Sequence, residues 1–206
     1  MRRLTVGFCA RAQAVTGSED NTARVWSAAA CPMQRELTGH ADGVTSVCVT
    51  PDGKHIISGA HGAQDTRVKV WSVATKSLVS TCTGHTKSVF AVAAMPDGQR
   101  ILSGGNDKTV RVWLLNGTLE NTFELHTRNV TALVALPDNQ HALSGSRDKT
   151  VKLFNVNDGA VLRTFKNHTH WVRCLALLPD GLRFVSGSND KVARIAYHGL
   201  APPLYK

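Results

Sequence analysis

One cassette returns along this chain every 41 to 45 residues. Each copy reads roughly His, then Pro-Asp-Gly, then Ser-Gly-x-x-Asp-Lys-Thr-Val-Arg-Val-Trp. The histidines stand at His40, His85, His126 and His168, in steps of 45, 41 and 42 residues. The serines Ser58, Ser103, Ser144 and Ser186 keep the same steps. Such a period marks stacked supersecondary units, none of which can bury its apolar face alone. A repeat architecture is therefore the frame into which every local reading must fit.

The copy at 85–125 reads as four strands and four turns. Val89-Phe90-Ala91-Val92-Ala93 is an apolar run suited to a strand buried on both faces. Pro96-Asp97-Gly98 is turn chemistry: proline presets φ, aspartate bonds its own backbone, and glycine accepts positive φ. Ile101-Leu102-Ser103 is a second strand, and Asn106-Asp107 turns again. Residues 109–113 alternate polar and apolar as a half-exposed third strand does. After Asn116-Gly117 a fourth strand spans 119–125. No copy holds a helical spacing over 10 residues or more. The expected fold is all-β, a β-propeller of four-stranded antiparallel blades with about five repeats.

The first and last repeats are incomplete. Residues 1–10 have room for one inner strand and carry no Gly-His loop; beyond Tyr197, Pro202 and Pro203 remove the donors an outer strand needs. This leaves five inner three-strand sets but four linking outer strands, near 35–38, 78–82, 119–125 and 161–166. The repeats divide the chain at roughly 1–34, 35–77, 78–118, 119–160 and 161–200, with a short tail at 201–206. Unpaired edges are an aggregation liability. Three accounts stand open: a longer native propeller, a closed five-bladed ring, or missing blades supplied by another copy.

Gly-His, Pro-Asp-Gly, Ser-Gly-x-x-Asp and a closing Trp together resemble the WD-repeat family over residues 12–198. The closing pair is Trp-Ser at Trp26 and Trp71, Trp-Leu at Trp113 and Phe-Asn at Phe154, never Trp-Asp. The resemblance implies a buried hydrogen-bonded tetrad in each blade. Its members here are His40, Ser58, Asp65 and Trp71, then His85, Ser103, Asp107 and Trp113. The next set is His126, Ser144, Asp148 and Phe154, and the last is His168, Ser186, Asp190 and, in the aromatic position, Ala196. The first blade offers only Thr16, Asp20 and Trp26. Phe154 lacks the indole donor, and Ala196 leaves a gap that a neighbour such as Tyr197 would have to fill.

A repeated Ser, His and Asp also invites a hydrolase reading, since those types form nucleophilic triads. One active site does not need four copies, and no Gly-x-Ser-x-Gly elbow is present. The quartets read as structural, and no catalytic residue is assigned. His168 and His170 form the one close histidine pair, with His61 placed in a loop. Two imidazoles without a third ligand make no metal site, and no cofactor is expected.

Formal net charge is +9, and much of it is periodic: Lys108 and Arg111, Lys149 and Lys152, Lys191 and Arg194. Strand alternation predicts Arg111 and Lys152 on a solvent-facing surface. No basic run is interleaved with aromatics, so nucleic acid is the weaker partner class. The five cysteines, Cys9, Cys31, Cys48, Cys82 and Cys174, form no Cys-x-x-Cys pair and suit a reducing cytoplasmic or nuclear setting. The amino terminus imitates a signal peptide only faintly, because Thr5 and Gly7 break its apolar segment. No run of about 18 apolar residues exists to cross a membrane.

The family resemblance places partner contacts on the narrow face, at three positions per blade. They are Gly43, Thr45 and Gln64; Ser88, Phe90 and Asn106; Asn129, Thr131 and Arg147; Trp171, Arg173 and Asn189; and Glu19 alone in the first blade. Among these, Phe90, Arg147, Trp171 and Arg173 stand out, because aromatics and arginines dominate interface energetics, and Asn106, just ahead of the turn aspartate, joins them as a partner-binding candidate. The insertion at 60–64 lengthens the second blade's turn by three residues relative to the third. The expected function is a non-catalytic scaffold that presents one face to peptides or proteins in an intracellular complex. An RNA-associated module and a ubiquitin-binding propeller are the alternatives. RNA retention with a steep salt slope would favour the RNA reading.

Overall fold

A computed structural model describes residues 5–9, 13–27 and 33–200, so the tail at 201–206 and much of the signal-like segment lie outside the described residues. Every regular element among the described residues is a strand, and none is a helix that could cross a membrane. The first sheet contains β1 (Thr5–Cys9), β2 (Gln13–Gly17), β3 (Ala23–Ser27) and β4 (Met33–Leu37). The second contains β5 (Gly43–Val49), β6 (His55–His61), β7 (Val68–Ser72) and β8 (Leu78–Cys82). The third holds β9 (Val89–Ala94), β10 (Arg100–Gly105), β11 (Val110–Leu114) and β12 (Leu119–Phe123). The fourth holds β13 (Val130–Ala135), β14 (His141–Ser146), β15 (Val151–Asn155) and β16 (Val161–Phe165). The last has three strands, β17 (Val172–Leu177), β18 (Arg183–Ser188) and β19 (Ala193–Tyr197).

Each sheet is an antiparallel meander in chain order. The outer strands β4, β8, β12 and β16 pair with the sheet before them, not with the histidine cassette that follows. Divisions at 34/35, 77/78, 118/119 and 160/161 therefore fall one strand ahead of the sheet boundaries. The tight turn after each third strand keeps the fourth beside it. The first sheet thus has four strands.

Sheets stack face to face, and consecutive residues of one strand serve different interfaces. In β6, Ile56 packs with Val15 and Val25 of the first sheet, while Ile57 packs with Val89 and Trp113 of the third. This is why the middle strands read as continuous apolar runs. Each fully buried side chain of this size contributes about 1.5–3 kcal/mol. The glycine of Ser-Gly sets the approach of the next sheet. A Cβ on Gly104 would stand 2.5 Å from Val130 Cγ1, and one on Gly59 or Gly145 would stand 2.7 or 2.8 Å from Val89 or Val172.

Covering both faces also overturns the solvent-facing placement of Arg111 and Lys152. Lys152 Nζ donates to Leu125 O at 2.7 Å, and the Arg111 guanidinium lies 5.9 Å from the Trp113 ring. Lys69, at the same register, is buried. The stems lie along the covered face and the charged heads reach its rim. Lys108, Lys149 and Lys191 occupy the left-handed region, with φ of 70°, 74° and 66°, at the turn after each motif aspartate.

The stack is an open arc. Val25, Val70, Val112 and Leu153 share one register position and are at most 1% exposed, whereas Ile195 at that position is 64% exposed. Nothing among the described residues covers the outward face of the last sheet. The closed five-bladed ring is therefore not formed.

Candidate functional site

Two constellations recur through the fold. The first lies inside each sheet. Asp65 Oδ2 accepts from His40 Nδ1 at 2.8 Å, His40 Nε2 stands 2.7 Å from Ser58 Oγ, and Trp71 Nε1 donates to Ser58 at 2.8 Å. In the third sheet the same contacts among His85, Asp107, Ser103 and Trp113 measure 2.8, 2.7 and 2.7 Å. One proton order satisfies the chain: indole N–H to hydroxyl oxygen, hydroxyl to imidazole Nε2, and Nδ1–H to carboxylate. The other carboxylate oxygen holds its own turn, as when Asp107 Oδ1 accepts from Thr109 Oγ1 at 2.9 Å. His126, Ser144 and Asp148 repeat the contacts at 2.8 and 2.7 Å, but Phe154 gives Ser144 no donor. His168, Ser186 and Asp190 repeat them at 2.8 Å, with Arg194 bridging Asp190 at 2.9 Å.

The first and last sheets show how the pattern tolerates loss. With no histidine, Asp20 pairs with Arg24 at 2.7 Å, and Trp26 donates to Thr16 at 2.8 Å. In the last sheet Tyr197 does not fill the space beside Ala196, because it is 49% exposed and stacks on His198. Phe184, directly across from Ala196 on β18, is buried there instead. The quartets are separated one per sheet and largely buried, so the serines do not converge on one cleft.

Burial disfavours the charged imidazole and pushes His40 below its ordinary value, although Asp65 opposes this. Burial raises the Asp65 carboxyl, but hydrogen bonds from Ala41, His40 and Arg67 outweigh it and hold the group at about 2. Asp107 is likewise raised by burial, but its bond from His85 leads the opposing contacts that hold it at about 2. The unfolded chain therefore takes up protons that the fold refuses, first at His40 below its ordinary 6.5 and then at the aspartates between 3.8 and about 2. Stability is expected to be full above that first window and to fall in two stages on acidification. Thermal melts followed by circular dichroism at stepped pH check this. A midpoint unchanged down to pH about 4 would contradict the His40 stage.

The second constellation crosses the sheets at the inner-strand rim. Residues ahead of the turn aspartates are tied back by their backbone: Asn106 N donates to Ser88 O, Arg147 N to Asn129 O and Asn189 N to Trp171 O. This brings side chains from four sheets into one row. The His61 and Phe90 rings lie 5.3 Å apart, and the Arg147 guanidinium stands 5.3 Å from Phe90 and 4.7 Å from Trp171. Arg173 then lies 5.3 Å from Trp171, and its Nε donates to Asn189 Oδ1 at 2.7 Å. Arg147, Arg173, Phe90, Asn189 and, from the first sheet, Glu19 line a cleft of about 790 Å³.

Four of the five partner candidates, Phe90, Arg147, Trp171 and Arg173, thus meet. Asn106 does not join them: it is half-buried and absent from the cleft wall. Thr45 and Thr131 act differently from their sequence reading, because their hydroxyls donate to Val89 O at 2.7 Å and Val172 O at 2.6 Å of the next inner strand. His61, placed in a loop by its surroundings, closes β6 and stacks in the row. Among the described residues no group of three or more His, Cys, Asp or Glu could hold a metal ion. Cys82 is buried, and burial pushes its thiol up to about 12.

The family described as WD domain, G-beta repeat matches residues 31–72, 76–113, 117–155 and 159–195. Among solved structures, the chain is similar to one titled "Crystal structure of WD40 beta propeller domain of Doa1", at 28% identity and a TM-score of 0.84. The likeness covers 94% of this chain and 64% of that one. No curated protein matches the sequence.

Proposed function

The chain belongs to the WD-repeat family, and from that premise we propose that it is a non-catalytic scaffold whose inner-strand rim receives a protein or peptide. Propellers of this family commonly mediate protein–protein interaction, so the question is which surface serves here. The observation that carries the reading is the row from His61 to Arg173, which lies across four sheets. Arginine and aromatic side chains packed together beside an open cleft are the composition of binding hot spots. The quartets, by contrast, spend their polar groups on one another.

Joint replacement Trp171→Ala and Arg173→Ala is expected to lower capture of protein partners at least about tenfold, which is the scale of a hot-spot loss. The far-UV spectrum should remain that of the parent chain. Affinity capture with quantitative mass spectrometry, run with a spectrum of each variant, makes the comparison. Undiminished capture by the folded double variant would move the binding face elsewhere.

A further inference from the structure

Arg147 is the least satisfied cation in the row. Its Nε is buried without a hydrogen-bond partner. The ion-paired arginines are Arg24, Arg67, Arg100, Arg183 and Arg194; neither Arg147 nor Arg173 forms an ion pair among the described residues, although Glu19 lines the same cleft. Burial and the nearby Arg173 charge both push the Arg147 guanidinium below its ordinary value. Contacts with Phe90 and Trp171 offset part of that cost, but an aromatic face accepts no hydrogen bond along the guanidinium edge.

One guanidinium held between two rings and a second beside Trp171, both lining a cleft, call for an anion of a particular shape. Arg173 Nε is taken by Asn189 Oδ1 and Arg147 Nε is buried, so the Nη groups remain as donors, and a carboxylate supplies two oxygens to accept from them. Nucleobases suit the row less well, because stacking needs an open ring face. Phe90 already carries Arg147 and His61, and Trp171 carries Arg147, Arg173 and His170. Resting on the rim reading above, we infer that Arg147 and Arg173 seat a carboxylate of a bound acidic peptide. The source is an Asp or Glu side chain or a chain terminus.

Acetylated, amidated decapeptide pools with one position fixed as Asp, Glu, Asn or Gln provide the probe, passed over the immobilised chain. Retention of the Asp and Glu pools over their amide counterparts is expected to be about fivefold or more at about 0.15 M salt. Matched pools with free carboxyl termini identify a terminal source, which would be retained whatever the fixed residue. Arg147→Gln and Arg173→Gln should each erase the preference, whereas Arg147→Lys should keep only part of it and Arg163→Gln should leave it intact. Melting curves establish that each variant is folded.

Equal retention of acid and amide pools, with or without free termini, overturns the inference. So does a preference that survives in both glutamine variants, or oligouridylate bound through Arg147 in place of the peptides. Protein capture that persists without any carboxylate preference removes the seat and leaves the rim reading intact. Capture indifferent to Trp171 and Arg173, beside a carboxylate preference that needs Arg147, does the reverse.

Discussion

Trp113→Ala is expected to destabilise the chain by about 3–5 kcal/mol, the cost of deleting a large buried aromatic. The ring is 0% exposed and lies between two sheets, where it packs with Ile57, Val68 and Val70 of the second. Removing it also takes the indole donor from Ser103, which it reaches at 2.7 Å. Trp113→Phe separates the two contributions. It keeps most of the packing and loses one hydrogen bond, so about 1–2 kcal/mol is expected.

The fourth sheet already contains that arrangement. Phe154 is 0% exposed, and Ser144 keeps its 2.8 Å contact with His126 although no indole reaches it. Urea unfolding of the three chains, followed by far-UV circular dichroism, gives the order. If phenylalanine were as damaging as alanine, the polar chain would outweigh the packing. A loss under about 1 kcal/mol for alanine would mean that the ring does not seal the interface.

What could be read from the sequence follows from how local each feature is. The cassette spacing, the Pro-Asp-Gly turns and the inner strands are short-range patterns, and each sheet forms from contiguous chain. The quartet residues recur within each repeat, and it was the family resemblance that implied they bond to one another. The places of Arg111 and Lys152 were not legible, because strand alternation predicts a wet face and only the neighbouring sheet makes it a covered one. Nor was the row at the rim legible as a row. Phe90, Arg147 and Trp171 come from three sheets, and no pattern within one repeat records that a guanidinium reaches across to two foreign rings. The aromatic and arginine types pointed to four residues that meet at the rim, whereas Asn106, chosen by its place ahead of the turn aspartate, spends its backbone on Ser88 and is absent from the cleft wall.

The exchange of bulk in the last sheet leads to the second large effect. Across β-strands, Ile56 faces Trp71, Ile101 faces Trp113, Ala142 faces Phe154 and Phe184 faces Ala196. The pair keeps one large ring, but in the last sheet the ring stands on the second strand instead of the third. Phe184 is 1% exposed and meets Phe165 edge-on at 5.0 Å. Phe184→Ala should therefore cost about 3–5 kcal/mol, since two facing alanines leave the interface empty. Ala196→Trp alone should also destabilise, by about 1–3 kcal/mol, because it forces a second ring beside the first.

Together, Phe184→Ile and Ala196→Trp rebuild the pair found at Ile101 and Trp113, and place an indole donor near Ser186. The double variant is expected to recover most of the loss, with a coupling of about 1–3 kcal/mol between the two sites. Denaturant midpoints of the parent, Phe184→Ile, Ala196→Trp and the double variant close the cycle. Additive losses would show that Phe184 fills a separate space, and that the last sheet does without an aromatic plug at this register.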